Sequence, residues 1–492
     1  MGAAQAAAAM LRALQPGCRM SAFASTGRRS RWPLIVGLLL IVAAALGAGG
    51  WFLAPRMESQ PPRIVLPEVE FAGTAPVEIA VSDAGTGLKS VSVTLVQGSS
   101  EQSLANDQFA QPVADRKYLF ALAKLPGVRE GAVKLRVVAR DSALRANETV
   151  VEKTVTLDLT PPALALVADD RYVNFGGAGV LVYTTSADAA TSGVRLGERF
   201  FPGFAGHIKG HPERLLVFFA HPYDAPAEAR PVLVATDRAG NTRELPVAYE
   251  LKNVRYRKST IALSDSFVQN KVAPLLADAT ARQGSIKEVF VRVNKDLRRD
   301  NEAKIAAITS KATPQLLWSG AFTQLPNSKV EANFADLRTY TYNGEPVDTA
   351  YHVGYDLSVT RAYPVEAANR GTVVYAGDLG IYGGTVILDH GLGLFTLYSH
   401  LSAIDAKEGA TVEPRAIIGK TGETGLAGGD HLHYGVYLHG VAVLPVEWWD
   451  GKWIADNITP KLEGGSGQEI AEAQQAAKPK AKGKAKAGKR KR

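Results

Sequence analysis

The chain has 492 residues, too many for one ordinary domain of about 100–200, so roughly three domains are expected. With 46% apolar and 21% charged residues it can bury a core, which excludes wholesale disorder. Its net charge of +8 is uneven, because nine Lys or Arg and no acid lie between Lys478 and Arg492; the remainder is near neutral, which argues against a nucleic-acid binder.

Residues 1–32 read as a short cytoplasmic N-terminus. Pro33 to Leu53 is an uncharged run preceded by Arg28, Arg29 and Arg31, with Arg56 just after it. As a helix it spans about 30 Å of hydrocarbon, and the basic flank keeps the N-terminus inside. An uncleaved anchor over 33–55 is favoured over a signal peptide cut near Ala45-Leu46-Gly47. The expected location is therefore the inner membrane, single-pass, with everything after the anchor periplasmic. Residues 60–158 and 159–252 are two related units. Each opens on a Pro-Pro pair (Pro61-Pro62 and Pro161-Pro162) and each carries a late strand ending in Ala-x-Asp (Ala139-Arg140-Asp141 and Ala235-Thr236-Asp237). Short strands and frequent turns at that period fit antiparallel sandwiches of about seven strands. The Ala-x-Asp turns, with Ala239-Gly240-Asn241, resemble bacterial immunoglobulin-like modules, which implies spacing or wall binding. Helix formers dominate from about 262 to 312, with Ser264 or Ser266 as N-caps, so 253–319 reads as a helical connector. Residues 461–492 open on Gly464-Gly465-Ser466-Gly467 and end in spaced lysines, the pattern of a solvated basic tail whose partners outside the cytoplasm are anionic envelope polymers.

Six of the nine histidines fall between His352 and His439. With no cysteine beyond Cys18, a zinc site needs His and carboxylate ligands. Three motifs supply them: His352-Val353-Gly354-Tyr355-Asp356, Leu397-Tyr398-Ser399-His400-Leu401 and His431-Leu432-His433. On a strand, His431 and His433 face one side about 7 Å apart. His352 and Asp356 on a flat strand sit about 13 Å apart, too far to share an ion, but Gly354 permits a bend between them. Alternation from Phe395 places Thr396, Tyr398 and His400 on one face, delivering His400 to the same cleft. Thr421 to Asp430 is a Gly-rich loop lacking the lysine of a phosphate loop. His390 reads as a turn or supporting residue, and His439 and the scattered His207, His211 and His221 as surface or turn positions.

Over about 320–450 the sequence resembles the lysostaphin-type (LytM-like) zinc metallopeptidases of the bacterial cell wall. Beyond the three motifs, the resemblance rests on Pro364-Val365, Gly371, Val373 to Gly377, Tyr382-Gly383-Gly384, Asp389-His390-Gly391, Gly419, Thr421-Gly422 and Pro445. It implies that His352, Asp356 and His433 ligate Zn2+ and that His400 and His431 are catalytic. Two neutral imidazoles and one carboxylate would leave such a zinc one open position, and Asn327 or Asn333 upstream is a candidate to occupy it. Two departures stand out: Asp430 where proline is common, and Ala335 where glycine is common. The expected fold is mainly β: an N-terminal transmembrane helix, two immunoglobulin-like β-sandwich modules, a short helical connector and a C-terminal antiparallel β peptidase domain at 320–460. The expected function is a membrane-anchored, zinc-dependent endopeptidase hydrolysing peptidoglycan cross-links or stem peptides, with no nucleic-acid partner. The alternative is an inactive activator or scaffold of wall hydrolysis in division.

Overall fold

The computed structural model describes residues 32–226 and 228–476. The segment before Trp32 (expected to be cytoplasmic, and holding Cys18) and the lysine-rich end lie outside the described residues. Trp32–Leu53 is one helix, apolar along its length and bearing its large side chains on the outside (Leu34 is 76% and Trp51 83% exposed). By length and composition it is long and apolar enough to cross a membrane.

The first module pairs Leu88–Gln97 with both Ser100–Val113 and Gly131–Asp141. A three-stranded sheet holds Arg63–Val65, Val77–Ser82 and Asp115–Phe120. Val77–Ser82 alternates buried and outward residues, so Val77, Ile79 and Val81 point into the core, as a half-buried strand requires. The second module has two four-stranded sheets and a two-stranded parallel pair, Tyr172–Asn174 with Glu250–Lys252. One four-stranded sheet is built on Ala178–Thr185 and Leu215–Ala220, the other on Ala189–Leu196 and Val232–Asp237. Ala178 to Tyr183 is buried at every position, whereas the first module's strands mostly alternate.

The reason lies downstream. In the compact unit that holds the second module and all that follows it, one core runs from Phe218 through Trp318 and Trp448. Their rings meet at centroid distances of 6.3 Å (Phe218–Trp318), 6.0 Å (Phe218–Trp448) and 5.7 Å (Trp318–Trp448). Glu447 accepts hydrogen bonds from the Ala178 N–H (2.8 Å) and Asn174 Nδ2 (2.7 Å), and burial pushes its carboxyl up to about 8. Lys461, 1% exposed, pairs with buried Asp170. The chain is thus still folded at 461, where the sequence suggested a solvated tail, and Gly467–Ala476 is a helix that buries Ile470. His439, expected at the surface, is half-buried and stacks on Phe204 at 5.9 Å. His221 is buried, with Nδ1 2.6 Å from the Tyr249 hydroxyl.

The C-terminal domain is built on an eight-stranded antiparallel sheet. Leu432–Leu438 lies at its centre, between Tyr355–Ser358 and Leu394–Leu401, with Gly384–Gly391 and Gly371–Asp378 beyond. A three-stranded sheet holds Lys258–Ala262, Asp336–Tyr342 and Glu345–His352. The first of these belongs to the connector, which therefore begins as a strand; its β-branched Thr260 and Ile261 suit that state. The helices follow. Ser264 Oγ caps Asp265–Phe267, and Ser285 with Glu288 forms a capping box on Ile286–Val291. Helical backbone continues through Arg292–Leu297 and Arg298–Thr309.

Candidate metal and catalytic centre

His352 ends one strand and Asp356 lies on the next, with the chain bent at Gly354 between them. A Cβ on Gly354 would lie 2.6 Å from the Tyr434 carbonyl and 2.7 Å from His433 Cε1, so no larger residue fits the bend. Asp356 is then the register partner of His433 on the central strand. The bend expected at Gly354 is present, and it does bring His352 and Asp356 together: Nε2 to Oδ1 is 2.8 Å. His433 Nδ1 is 2.9 Å from His352 Nε2 and 3.0 Å from Asp356 Oδ1.

The chemistry of these atoms defines what fits between them. His352 gives its Nδ1–H to the Asn333 carbonyl at 2.9 Å, so its Nε2 turns a lone pair inward. A lone pair facing a carboxylate oxygen and a second imidazole nitrogen is repulsive unless a proton or cation lies among them. Two imidazole nitrogens and one carboxylate oxygen, all buried and mutually within 4.8 Å, are a donor set that can hold a metal ion. Burial alone would push the Asp356 carboxyl up, but His352, His431 and His433 around it hold it well below the ordinary range. Arg338 supports the same group, donating from Nη2 to Asp356 Oδ2 at 2.8 Å.

The other two histidines flank this triangle. His431 Nε2 lies 3.5 Å from Asp356 Oδ1, on the same side as His433, as the i, i+2 spacing requires. His400 and His431 rings are 4.8 Å apart, and His400 and His433 5.8 Å. Each outer imidazole is fixed by a backbone carbonyl: His400 Nδ1–H donates to Thr424 O and His431 Nδ1–H to Gly429 O, both at 2.8 Å. Their Nε2 atoms are thereby left to the cleft. Burial, and then the neighbouring imidazoles of His431 and His433, hold His400 well below the ordinary imidazole range. Burial opposes the charge on His431 too, but Asp356 prevails and its pKa is raised.

His400 does not follow the alternation of its strand. Leu397 packs with Tyr437 and Tyr382 on the cleft side of the sheet, while Tyr398 packs with Tyr434 on the other. Strict alternation would therefore send His400 away from His433. It reaches the cleft because the ladder slips between Val386/Tyr398 and Gly384/Leu401, and His400 adopts φ +63°. A non-glycine residue in left-handed backbone, beside a bulge and at the site, is local strain held by its surroundings.

Neither upstream asparagine fills the site. Asn333 contributes its carbonyl to His352, and Asn327 Nδ2 reaches Tyr363 Oη at 3.4 Å in an exposed turn. Ala335, where glycine is common, has φ +58° and donates its N–H to the His352 carbonyl at 2.6 Å, so this departure does touch the cluster. Asp430 ties its loop down, accepting from Thr421 Oγ1 (2.6 Å) and the Ala362 N–H (3.0 Å). Sequence reasoning missed Arg338; its same-face spacing with Asp336, the register partner of His352, is the signal that could have found it.

A cleft of about 420 Å³ opens over the five residues. The resembling segment supplies one side of it, with Tyr382 and Leu426; the connector supplies the other, with Ile261, Phe267, Phe290 and Arg298.

Residues 350–445 match the model of Peptidase family M23, so the C-terminal part of the chain carries a domain of that metallopeptidase class. The chain is 40% identical over 95 residues to DD-carboxypeptidase/endopeptidase Mpg of Neisseria meningitidis, 19% of this chain and 22% of that protein. It is 32% identical over 112 residues to peptidoglycan DD-endopeptidase ShyA of Vibrio cholerae, 23% of this chain and 25% of that protein. It is 33% identical over 125 residues to stage II sporulation protein Q of Bacillus subtilis, 24% of this chain and 42% of that protein. The likeness thus spans about a fifth of the Neisseria protein and a quarter of the Vibrio protein.

Proposed function

We propose that the protein is a zinc-dependent endopeptidase that hydrolyses peptide bonds in peptidoglycan cross-links or stem peptides. The observation that carries this is the convergence of His352 Nε2, Asp356 Oδ1 and His433 Nδ1, at 2.8–3.0 Å from one another, beneath two further histidines. Those three would hold the ion; when bound, zinc supplies Lewis acidity for a carbonyl oxygen and a hydrolytic water at neutral pH. The remaining work falls to the chain's own groups. His400, held neutral, presents an Nε2 lone pair that takes a proton from the attacking water. His431, whose Nε2 faces the cleft 3.5 Å from Asp356 Oδ1, would in its protonated form donate toward the developing oxyanion and the leaving amine. The Thr424 carbonyl keeps His400 in the Nδ1–H tautomer this needs, and the Gly429 carbonyl accepts the Nδ1–H of His431, leaving Nε2 to carry the donated proton. Arg338 orients Asp356 through its Nη2–Oδ2 bond.

The helix Trp32–Leu53 supports anchorage in the inner membrane with the remaining domains periplasmic, and the relatives' printed activities support peptidoglycan as substrate. The scaffold reading draws on the sporulation protein among the relatives. Against it stands a complete ligand set with both flanking histidines oriented. Purified peptidoglycan incubated with the zinc-loaded chain separates the two: the peptidase releases new amino termini, and His400→Ala abolishes release while leaving the fold intact. Failure of the wild type to release any would favour the scaffold.

A further inference from the structure

The cleft has an unmatched charge. Among its lining residues the one carboxylate is Asp356, already paired with Arg338. Arg298 lines the same cleft from the start of the helix Arg298–Thr309 and, among the described residues, is within ion-pairing distance of no acid. Its guanidinium is nevertheless held in place. Nε donates to the Asn294 carbonyl at 3.1 Å and Nη2 to Asn294 Oδ1 at 2.9 Å. Asn294 is 2% exposed and gives its Nδ2–H to Asp348 Oδ2 at 2.9 Å, which fixes the amide with its oxygen toward the arginine. Glu302, one turn along, acts on Arg298 only through space, and burial keeps its own carboxyl above the ordinary range. The Nε/Nη2 edge of the fork is thus occupied by Asn294, and the Nη1/Nη2 edge is left for a planar, two-oxygen acceptor. Clamping a guanidinium beforehand lowers the entropy cost of each bond it later forms. The apolar rings of Phe267 and Phe290 line the same side and strengthen such a pair by excluding water.

Resting on the peptidase reading, we infer that Arg298 is a specificity-determining residue that binds a free carboxylate of the peptide substrate end-on, so that the cleft selects anionic peptides. Peptidoglycan stem peptides carry free carboxylates close to their cross-links, and conversion to primary amides removes the charge while keeping the shape. The test compares kcat/KM of the full chain on two cross-linked muropeptides, identical except that in one the peptide carboxylates are amidated. Wild type should prefer the free acid by about tenfold to a hundredfold, the worth of a charge-assisted hydrogen bond. In Arg298→Gln the preference should fall to about one, mainly through KM, and Arg298→Lys should keep part of it, with zinc content unchanged in both. A wild type indifferent to amidation, or an Arg298→Gln variant that keeps the full preference, overturns the inference while leaving the peptidase intact. Hydrolysis of neither peptide overturns both.

Discussion

At the scale of single residues, position matters as much as chemistry. His400 occupies backbone that costs an L-residue about 1–2 kcal/mol, and glycine escapes that cost. Both His400→Ala and His400→Gly should lose hydrolysis. The glycine variant should nonetheless be the more stable by about 1 kcal/mol, or roughly 2–4 °C in Tm by calorimetry. Equal melting points would place the strain elsewhere. His390 makes a second case. It is fully buried, with Nδ1 2.7 Å from the Arg370 carbonyl and Nε2 2.7 Å from Thr396 Oγ1, and burial drives its pKa from 6.5 to about 4. A histidine with a lowered folded pKa takes up its proton more readily when unfolded, so its stabilising effect is complete above pH 6.5 and lost as the pH falls toward about 4. The loss is about 3 kcal/mol at most. Tm should therefore fall across that window, and His390→Asn should lower Tm at neutral pH while flattening the acid slope.

At the scale of elements, the bend at Gly354 joins two sheets and sets the ligand geometry. Gly354→Ala must push either Tyr434 or His433 aside, so it should weaken zinc binding and cost about 1–3 kcal/mol, read by metal analysis and by Tm. An alanine variant that binds zinc like wild type would show that the bend is tolerant. Much of this was legible in the chain. The His-x-His spacing, the need for a bend at Gly354 and the cap at Ser264 follow from local rules, and the structure agrees with each. What local rules could not supply was long-range register. His400 reaches the cleft only through a slipped ladder, which alternation cannot foresee. The strand Lys258–Ala262 owes its existence to parallel pairing with Asp336–Tyr342, far along the chain. Arg298 owes its place in the cleft to long-range packing as well: its helix lies against Gly380–Tyr382, and the preceding turn Arg292–Leu297 against Glu345–His352.

At the scale of the molecule, the second module and the metallopeptidase domain share one core, which their separate sequence patterns did not announce. Patterning along one strand shows that Ala178 to Tyr183 is apolar, but not that Trp448 packs on Phe218 of the strand paired with it. The pair Lys461–Asp170 tests the union. Removing one partner of a buried ion pair strands the other, so Lys461→Ala should destabilise the protein by about 3–5 kcal/mol in chemical denaturation. The second module and the M23-type domain should then unfold in one earlier transition. Separate transitions, or no shift, would mean the two fold independently.

Hydrolysis depends on which side chains hold the ion, and zinc titration against a chromophoric chelator asks this directly. The wild-type chain should bind one zinc. His352→Ala, Asp356→Ala and His433→Ala should each lose it, whereas His400→Ala and His431→Ala should bind within about tenfold of wild type. A chain that takes up no zinc, or one whose affinity survives loss of His433 but not of His400, would contradict it.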